Sequence, residues 1–535
     1  MAEIQTDVCI IGSGPIGLTM AAVLARFGLR SVILEKRGAV NTHPRSRFVD
    51  SNTMELLRFL GIEQEVIATG LGPDWTQCNR WLTSLTGRQI AAIGSPTFHS
   101  VPGPHSPTIP VMTCQDYLEH ELLKLLERND LVELHYRCEV TAVTQDAEGT
   151  RTAVLDHNTG RRDTVTAAFT IGADGPHSFA RTAIGSVLEA EPRPYLMQDV
   201  IFEADLADCV GERKAALLYA LTEQGVLIFQ PLNGRTRWRC QIPRMDESSL
   251  SEPEVAAMIR LAAGALKTRP IEVVSTGMWR PTPGCVDCLG SGRIFLAGDA
   301  AHVAVPTGGM GNNIGFAGVR NLAWKLAYVF KGIAPAAILE SYETEHRPLA
   351  LARIEVGVRT TESMAGIFAA HYSGGDPAEA IARTQQYGDY DGALFGYELS
   401  SPLIAEAHEA PPAVDNATID FVPAVRPGRR APHQWLDPAA QRSLLDLFGL
   451  AYLLLLGSEV EPAPWQRAIE ATEHLLPLHC VLLPPQTAPL YNPQQIVLVR
   501  PDGIIADCWP SDVTTHAQER LLQALPLAHQ GAIYG

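Results

Sequence analysis

The chain opens with a near-continuous apolar run at 7–11, a glycine-rich turn, and apolar residues at helical spacing to about residue 27. A second apolar run, 31–34, ends on Glu35. Runs this short, bracketed by glycine, are the pattern of strands buried on both faces, so the stretch predicts a βαβ unit. Two later runs share the strand pattern: TAAFTIGADG ends in Asp174-Gly175, and GRIFLAGD ends in Gly298-Asp299. From about 186 to 280 the pattern changes to VIFEADL, ALLYALT, GVLIFQPL and RTRWRCQIP, which predict a β-rich insertion. Helical spacing appears in TMELLRFLGI and VMTCQDYLEHELLKLL and again across 318–372. Beyond a polar linker and a Pro-rich turn at 424–436, LLDLFGLAYLLLLG and IVLVRPDGIIADCW read as buried strands, the latter turning at Pro501-Asp502-Gly503.

A chain of 535 residues exceeds one ordinary core, so several domains are expected. With 46% hydrophobic and 19% charged residues it has the composition of a soluble globular protein. Its net charge of -17 opposes attraction to phosphate backbones and anionic lipid, which excludes nucleic acid and membrane surfaces as expected partners. The ten cysteines are scattered without disulfide-framework spacing, pointing to a reducing, cytoplasmic setting. Cys285 and Cys288 form an isolated CxxC in a Pro/Gly-rich segment and read as a loop, so no metal site is expected. The first residues lack a basic leader region, and no apolar run reaches the ~18 residues of a membrane span.

Chemistry enters with the first turn, GSGPIG. In this GxGxxG, Gly12 permits the tight turn, Gly14 lets a pyrophosphate approach the backbone, and Gly17 lets helix and strand lie close. The helix start, at Pro15, offers free N–H groups and positive dipole character to phosphate. Glu35, with Lys36 beside it, stands where an acid accepts hydrogen bonds from an adenosine ribose. These features suit FAD and NAD equally.

The later motifs distinguish the two. GxGxxG with Glu35, then GADGxxSxxR, then GRxFLAGDAAHxxxPxGGxGxNxG, in this order over roughly residues 1–350, resemble the FAD-dependent aromatic hydroxylases, the single-component flavoprotein monooxygenases. The resemblance implies a Rossmann-like FAD-binding domain with a β-sheet substrate domain, the p-hydroxybenzoate hydroxylase-like fold. To this it adds a C-terminal thioredoxin-like domain of the phenol hydroxylase and polyketide hydroxylase type. The FAD-binding domain is expected at 1–75, 108–185 and 281–400, the substrate domain at 76–107 and 186–280, and the C-terminal domain at 415–535. That last domain holds no CxxC, which assigns it packing or dimer contacts in a monomer or homodimer.

It also implies residue roles. Asp299 would hold the ribityl chain, and Gly308 to Asn313, including Gly309, Gly311 and Asn312, would approach the flavin pyrimidine with backbone N–H groups. Pro306 would stand beside the ring. Asp174 would contact the cofactor, Arg45 the flavin phosphates or the nicotinamide nucleotide, and Gln115 the ribityl chain. Arg47 replaces a small or acidic residue on the substrate side, where it would pair with an anionic substrate or with Asp50. His302 reads as a packed histidine. The implied reaction takes NADPH or NADH as transient co-substrate, adds O2 at flavin C4a, and delivers one oxygen from the hydroperoxide to an aromatic ring. A flavin oxidase or dehydrogenase would share these motifs, and WRCQIP approaches the WxWxIP of flavin halogenases with Cys240 in place of the second tryptophan.

Overall fold

A computed structural model describes residues 3–40, 43, 46–95, 100–264, 269–384, 390–472 and 474–527. The first apolar runs pair as expected. Val8–Ile11 lies between Ser31–Glu35 and Phe169–Gly172, all parallel, and Ile294–Leu296 and Val132–Tyr136 extend the sheet on either side. A short antiparallel strand, Gly290–Ser291, closes one edge. Buried on both faces, these strands have no need of polar alternation. Helices Pro15–Arg26, Gln115–Leu126 and Met310–Phe330 pack together, and all but one residue of the first is buried.

The second, seven-stranded sheet runs in the order Glu272–Trp279, Leu196–Glu203, Arg237–Arg244, Gly225–Pro231, Leu217–Thr222, Cys78–Leu82 and Gln89–Gly94. It is antiparallel except where Leu217–Thr222 meets Cys78–Leu82. The four runs from the insertion are therefore strands, within a few residues of the expected ends. Three further sheets were not anticipated; in the largest, Glu3–Gln5 pairs parallel with Arg162–Ala167, next to Thr150–Asp156 and Cys138–Gln145.

The C-terminal sheet orders Leu478–Leu482, Tyr452–Leu456, Gln495–Val499 and Ile505–Pro510, with helices Pro462–Thr472 and Ala517–Ala524, a thioredoxin-like arrangement. IVLVRPDGIIADCW is the expected hairpin, with Gly503 at φ +81° in its turn. LLDLFGLAYLLLLG is only half a strand. Its first part, Leu444–Leu447, is a 3-10 turn because Ser443 and Asp446 cap each other's backbone reciprocally. No helix of the described residues is long and apolar enough to cross a membrane.

Candidate active site

Close approaches between glycines and their neighbours bring the three motifs together. Gly12 adopts φ +102°, and a Cβ there would stand 2.4 Å from Ala173 O, so the first turn lies directly on the Asp174 turn. A Cβ on Gly17 would stand 2.0 Å from Gly12 O. Nothing lies within 4 Å of the Cβ position of Gly14, which leaves open space at the helix start. Gly298 and Gly315 both close on Ile16 of the same helix, seating the Asp299 segment against the first motif. Gly308 and Gly309 follow at φ +85° and +66°, and Gly309 presses on Phe48, so this loop meets the segment that carries Arg47.

These residues form a cradle suited to FAD. Glu35 sits at the strand end with its carboxylate aimed at the first turn, accepting from Ser13 N at 2.9 Å and Arg37 N at 2.8 Å. Two carboxylate oxygens offer about four acceptor sites, so ribose hydroxyls can be added to these bonds. Lys36 next to it is exposed, and Pro15 is buried at the helix start. Asp299, Pro306, Gly311 and Asn312 are each half-buried along the same rim.

Several expected side-chain roles change. Asp174 builds its own turn: the carboxylate accepts from Ser178 Oγ at 2.5 Å and from Phe179 N and Ala180 N at 2.6 and 3.1 Å, capping the short helix Phe179–Ala183. Asn313 clamps two segments. Its Oδ1 accepts from Asp50 N and Thr53 Oγ1, and its Nδ2 donates to Phe48 O and Gly309 O, so a cofactor could meet only its backbone. Arg47 is buried and donates to Pro231 O at 2.8 Å and Ala216 O at 3.0 Å, which ties this loop to the second sheet. Asp50 does not pair with it; Asp50 Oδ1 caps helix Ser51–Leu60 by accepting Thr53 N. Gln115 N donates to Ser46 O, beside Arg47, while its side chain donates to Glu119 at 2.7 Å. Arg45 lies outside the described residues. His302 is wholly buried, and burial pushes its pKa down to about 4, so it is a neutral packed residue.

Glu119 had no signal in the sequence. Burial pushes its carboxyl up to about 7, opposed by the Gln115 hydrogen bond and reinforced by Asp116. Because its folded pKa lies above the unfolded value of 4.5, the folded state binds the extra proton between about pH 4.5 and 7. Stability is thus expected to fall as pH rises through this window, by about 3 kcal/mol at most. Glu119→Gln should flatten that slope and melt higher than the parent above pH 7. Thermal midpoints of the two apoproteins from pH 5 to 8 test this, and parallel curves would refute it.

A second unanticipated group covers one face of the seven-stranded sheet. Arg239 and Asp199 form a buried ion pair at 2.6 Å, Trp279 Nε1 donates to Asp199 at 3.0 Å, and Gln230 donates to Gln241 at 2.7 Å. Farther along the same face Trp81 stacks on Tyr219 with centroids 3.9 Å apart, and Tyr219 meets Met364. Alternation in RWRCQIP could have shown this: Arg237, Arg239 and Gln241 share the face, whereas Trp238, Cys240 and Ile242 fill the core behind it. Cys114 and Tyr117 pack on Ile201, and Asp116 pairs with Arg237 at 2.7 Å, so this face looks toward the cradle.

A parallel sheet on which three glycine motifs converge, with a second sheet bearing buried polar and aromatic groups laid over it, has the architecture of a dinucleotide-binding α/β protein with an added β domain. Residues 5–356 match the FAD binding domain family model, and residues 424–527 match that of the aromatic-ring hydroxylase C-terminal domain. The chain belongs to the FAD-dependent aromatic-ring hydroxylases and is a monooxygenase. It is 31% identical to tetracenomycin A2 monooxygenase-dioxygenase of Streptomyces glaucescens, covering 95% of this chain and 94% of that one. Aklavinone-11 hydroxylase, solved with FAD and aklavinone, superposes with a TM-score of 0.84 at 26% identity over 98% of this chain and 100% of that one. The flavin-dependent monooxygenase PieE shares the fold, with a TM-score of 0.90 at 24% identity over 98% and 99% of the two chains.

Proposed function

We propose that the enzyme consumes NADPH or NADH and O2 to hydroxylate a polycyclic, polyketide-like phenol. The observation that carries this reading is the composition of the sheet face over the cradle. Trp81 and Tyr219, buried and stacked on each other, build the aromatic part of that face, and Asp199 Oδ1 and Gln241 Nε2, buried without a hydrogen-bond partner among the described residues, keep capacity for ring oxygens. The names of the relatives, which act on tetracenomycin and aklavinone, support the same substrate class.

In this reading Glu35 holds the adenosine ribose, the Gly12–Gly17 turn takes the pyrophosphate, and Asp299 takes the ribityl chain. Backbone N–H groups of Gly309, Gly311 and Asn312 would hold the pyrimidine side of the flavin, where the start of helix Met310–Phe330 would favour negative charge. FAD, when bound there, supplies hydride acceptance and oxygen activation. Arg47 holds its loop against Pro231 and Ala216, so it positions the substrate wall. The overlying sheet would keep water from the space beside the bound cofactor.

With labelled O2, one labelled oxygen is expected in the organic product, and NAD(P)H oxidation is expected to be slow until an aromatic ligand binds. Product oxidised without label would make the enzyme an oxidase or dehydrogenase. A halogenated product formed only with halide would make it a halogenase.

A further inference from the structure

Helix Ser341–Tyr372 carries Gly357, Thr361, Met364 and Phe368 at i, i+4, i+7 and i+11, so the four share one stripe of its surface. One end of the stripe meets the loop proposed to touch the flavin ring. Gly357 is buried in the helix interior, where glycine is unfavourable relative to alanine. Close approach accounts for it: a Cβ there would stand 3.0 Å from Val305 Cγ2 and 3.2 Å from Thr307 O. One turn on, Thr361 Oγ1 donates to Thr307 Oγ1 at 2.8 Å and stands 2.9 Å from Gly357 O. Thr307 lies between Pro306 and Gly308, and Val305 and Met310 on either side of the loop pack with Ile354 of the same helix.

The other end meets the aromatic part of the second sheet. Met364 Sδ accepts from Tyr219 Oη at 3.8 Å, and the ring of Phe368 lies 6.2 Å from that of Trp81. Beyond them Tyr372 Oη accepts from Val226 N at 3.2 Å, and His371 Nε2 bonds Thr222 O at 3.0 Å, which ties the helix end to the hairpin of the same sheet. At 1.5 Å per residue, about 16 Å of helix separates Gly357 from Phe368. Two features set the loop contact apart from ordinary apolar packing: the glycine brings helix and loop backbones together, and a side-chain hydrogen bond fixes the loop's place along the helix.

We infer that Gly357 and Thr361 are positioning residues for the flavin. Gly357 sets how closely the loop approaches the helix, Thr361 sets where along the helix it stops, and the ring is thereby held in register with the sheet on which the same helix ends. This rests on the reading that the loop from Pro306 to Asn312 touches the flavin.

Visible circular dichroism of the bound flavin and the rate of its anaerobic reduction by NADPH or NADH test the inference, with Pro306→Ala as the probe of the loop itself. Thr361→Val and Gly357→Ala are expected to retain FAD, alter its dichroism and slow its reduction by about tenfold. Thr361→Ser, which keeps the hydroxyl, should restore both. One substitution removes a tether and the other pushes the loop away, so a folding defect in either leaves the other to decide. If Pro306→Ala alters the dichroism while Thr361→Val and Gly357→Ala do not, the inference is overturned and the loop keeps its assignment. If none of the three alters it, the loop does not touch the flavin, and the inference falls with that reading. A change in Thr361→Val that Thr361→Ser fails to reverse makes Thr361 a packing residue and also overturns the inference.

Discussion

Gly14→Val is expected to purify folded and colourless. No protein atom lies within 4 Å of the added Cβ, and Gly14 has an extended backbone at φ -68°, ψ 177°, so the apoprotein accepts the side chain. What the valine occupies is the space proposed for pyrophosphate. Gly17→Ala should behave oppositely: its Cβ would stand 2.0 Å from a backbone oxygen of Gly12, forcing helix and strand apart. It should therefore melt lower than the parent even without cofactor, with a loss at or beyond the ~1–3 kcal/mol typical of overpacking. Asp299→Ala removes charge-assisted hydrogen bonds of ~1.5–3 kcal/mol, on the order of a ten- to hundredfold weaker affinity. Flavin absorbance after gel filtration, alongside melting of each apoprotein, separates the three. Full flavin content in both Gly14→Val and Asp299→Ala would remove the cradle from its assigned place.

The second large effect belongs to Glu345. Its carboxylate accepts from Arg500 at 2.6 and 2.8 Å, Lys325 at 2.9 Å, Asn321 at 2.6 Å and Ser401 at 2.6 Å, with no exposure to solvent. Burial alone would raise this carboxyl, but Arg500 and Lys325 together hold it well below the usual range. Glu345→Gln leaves Lys325 and Arg500 with Asp502 as their one remaining acid, stranding one buried positive charge, and a loss of about 3–5 kcal/mol is expected. Adding Lys325→Met should restore part of that loss, because one stranded charge is removed with its need for solvation. Denaturant midpoints of the single and double variants test the coupling, and strictly additive losses would show that these charges do not act together.

The glycine motifs were legible because they use local grammar. Glycines at fixed offsets, an acid at a strand end and short apolar runs are all read within a few residues of one another, and the strands Val8–Ile11, Ser31–Glu35 and Ile294–Leu296 formed accordingly. What escaped depends on distant partners. Asp199 and Arg239 are 40 positions apart, Arg500 and Glu345 are 155 apart, and neither spacing leaves a periodic trace. Asp174 and Asn313 were expected at the cofactor, yet family likeness could not show that their side chains would make a helix cap and a clamp. Leu444–Leu447 misled for a different reason, since its leucines fit a strand until the reciprocal Ser443–Asp446 cap is considered.

The order of strands in the central sheet bears on how the chain is made. Phe169–Gly172 has Val8–Ile11 on one side and Ile294–Leu296 on the other, so the sheet's third motif arrives long after the first. At ~5–20 residues per second, a ribosome takes roughly 15–60 s between those two strands. During that interval the nascent chain carries an apolar strand edge with no neighbour, a surface that invites aggregation. Expression yield should therefore respond to slower growth temperature and to chaperones that cover exposed strands, independently of any effect on the finished enzyme.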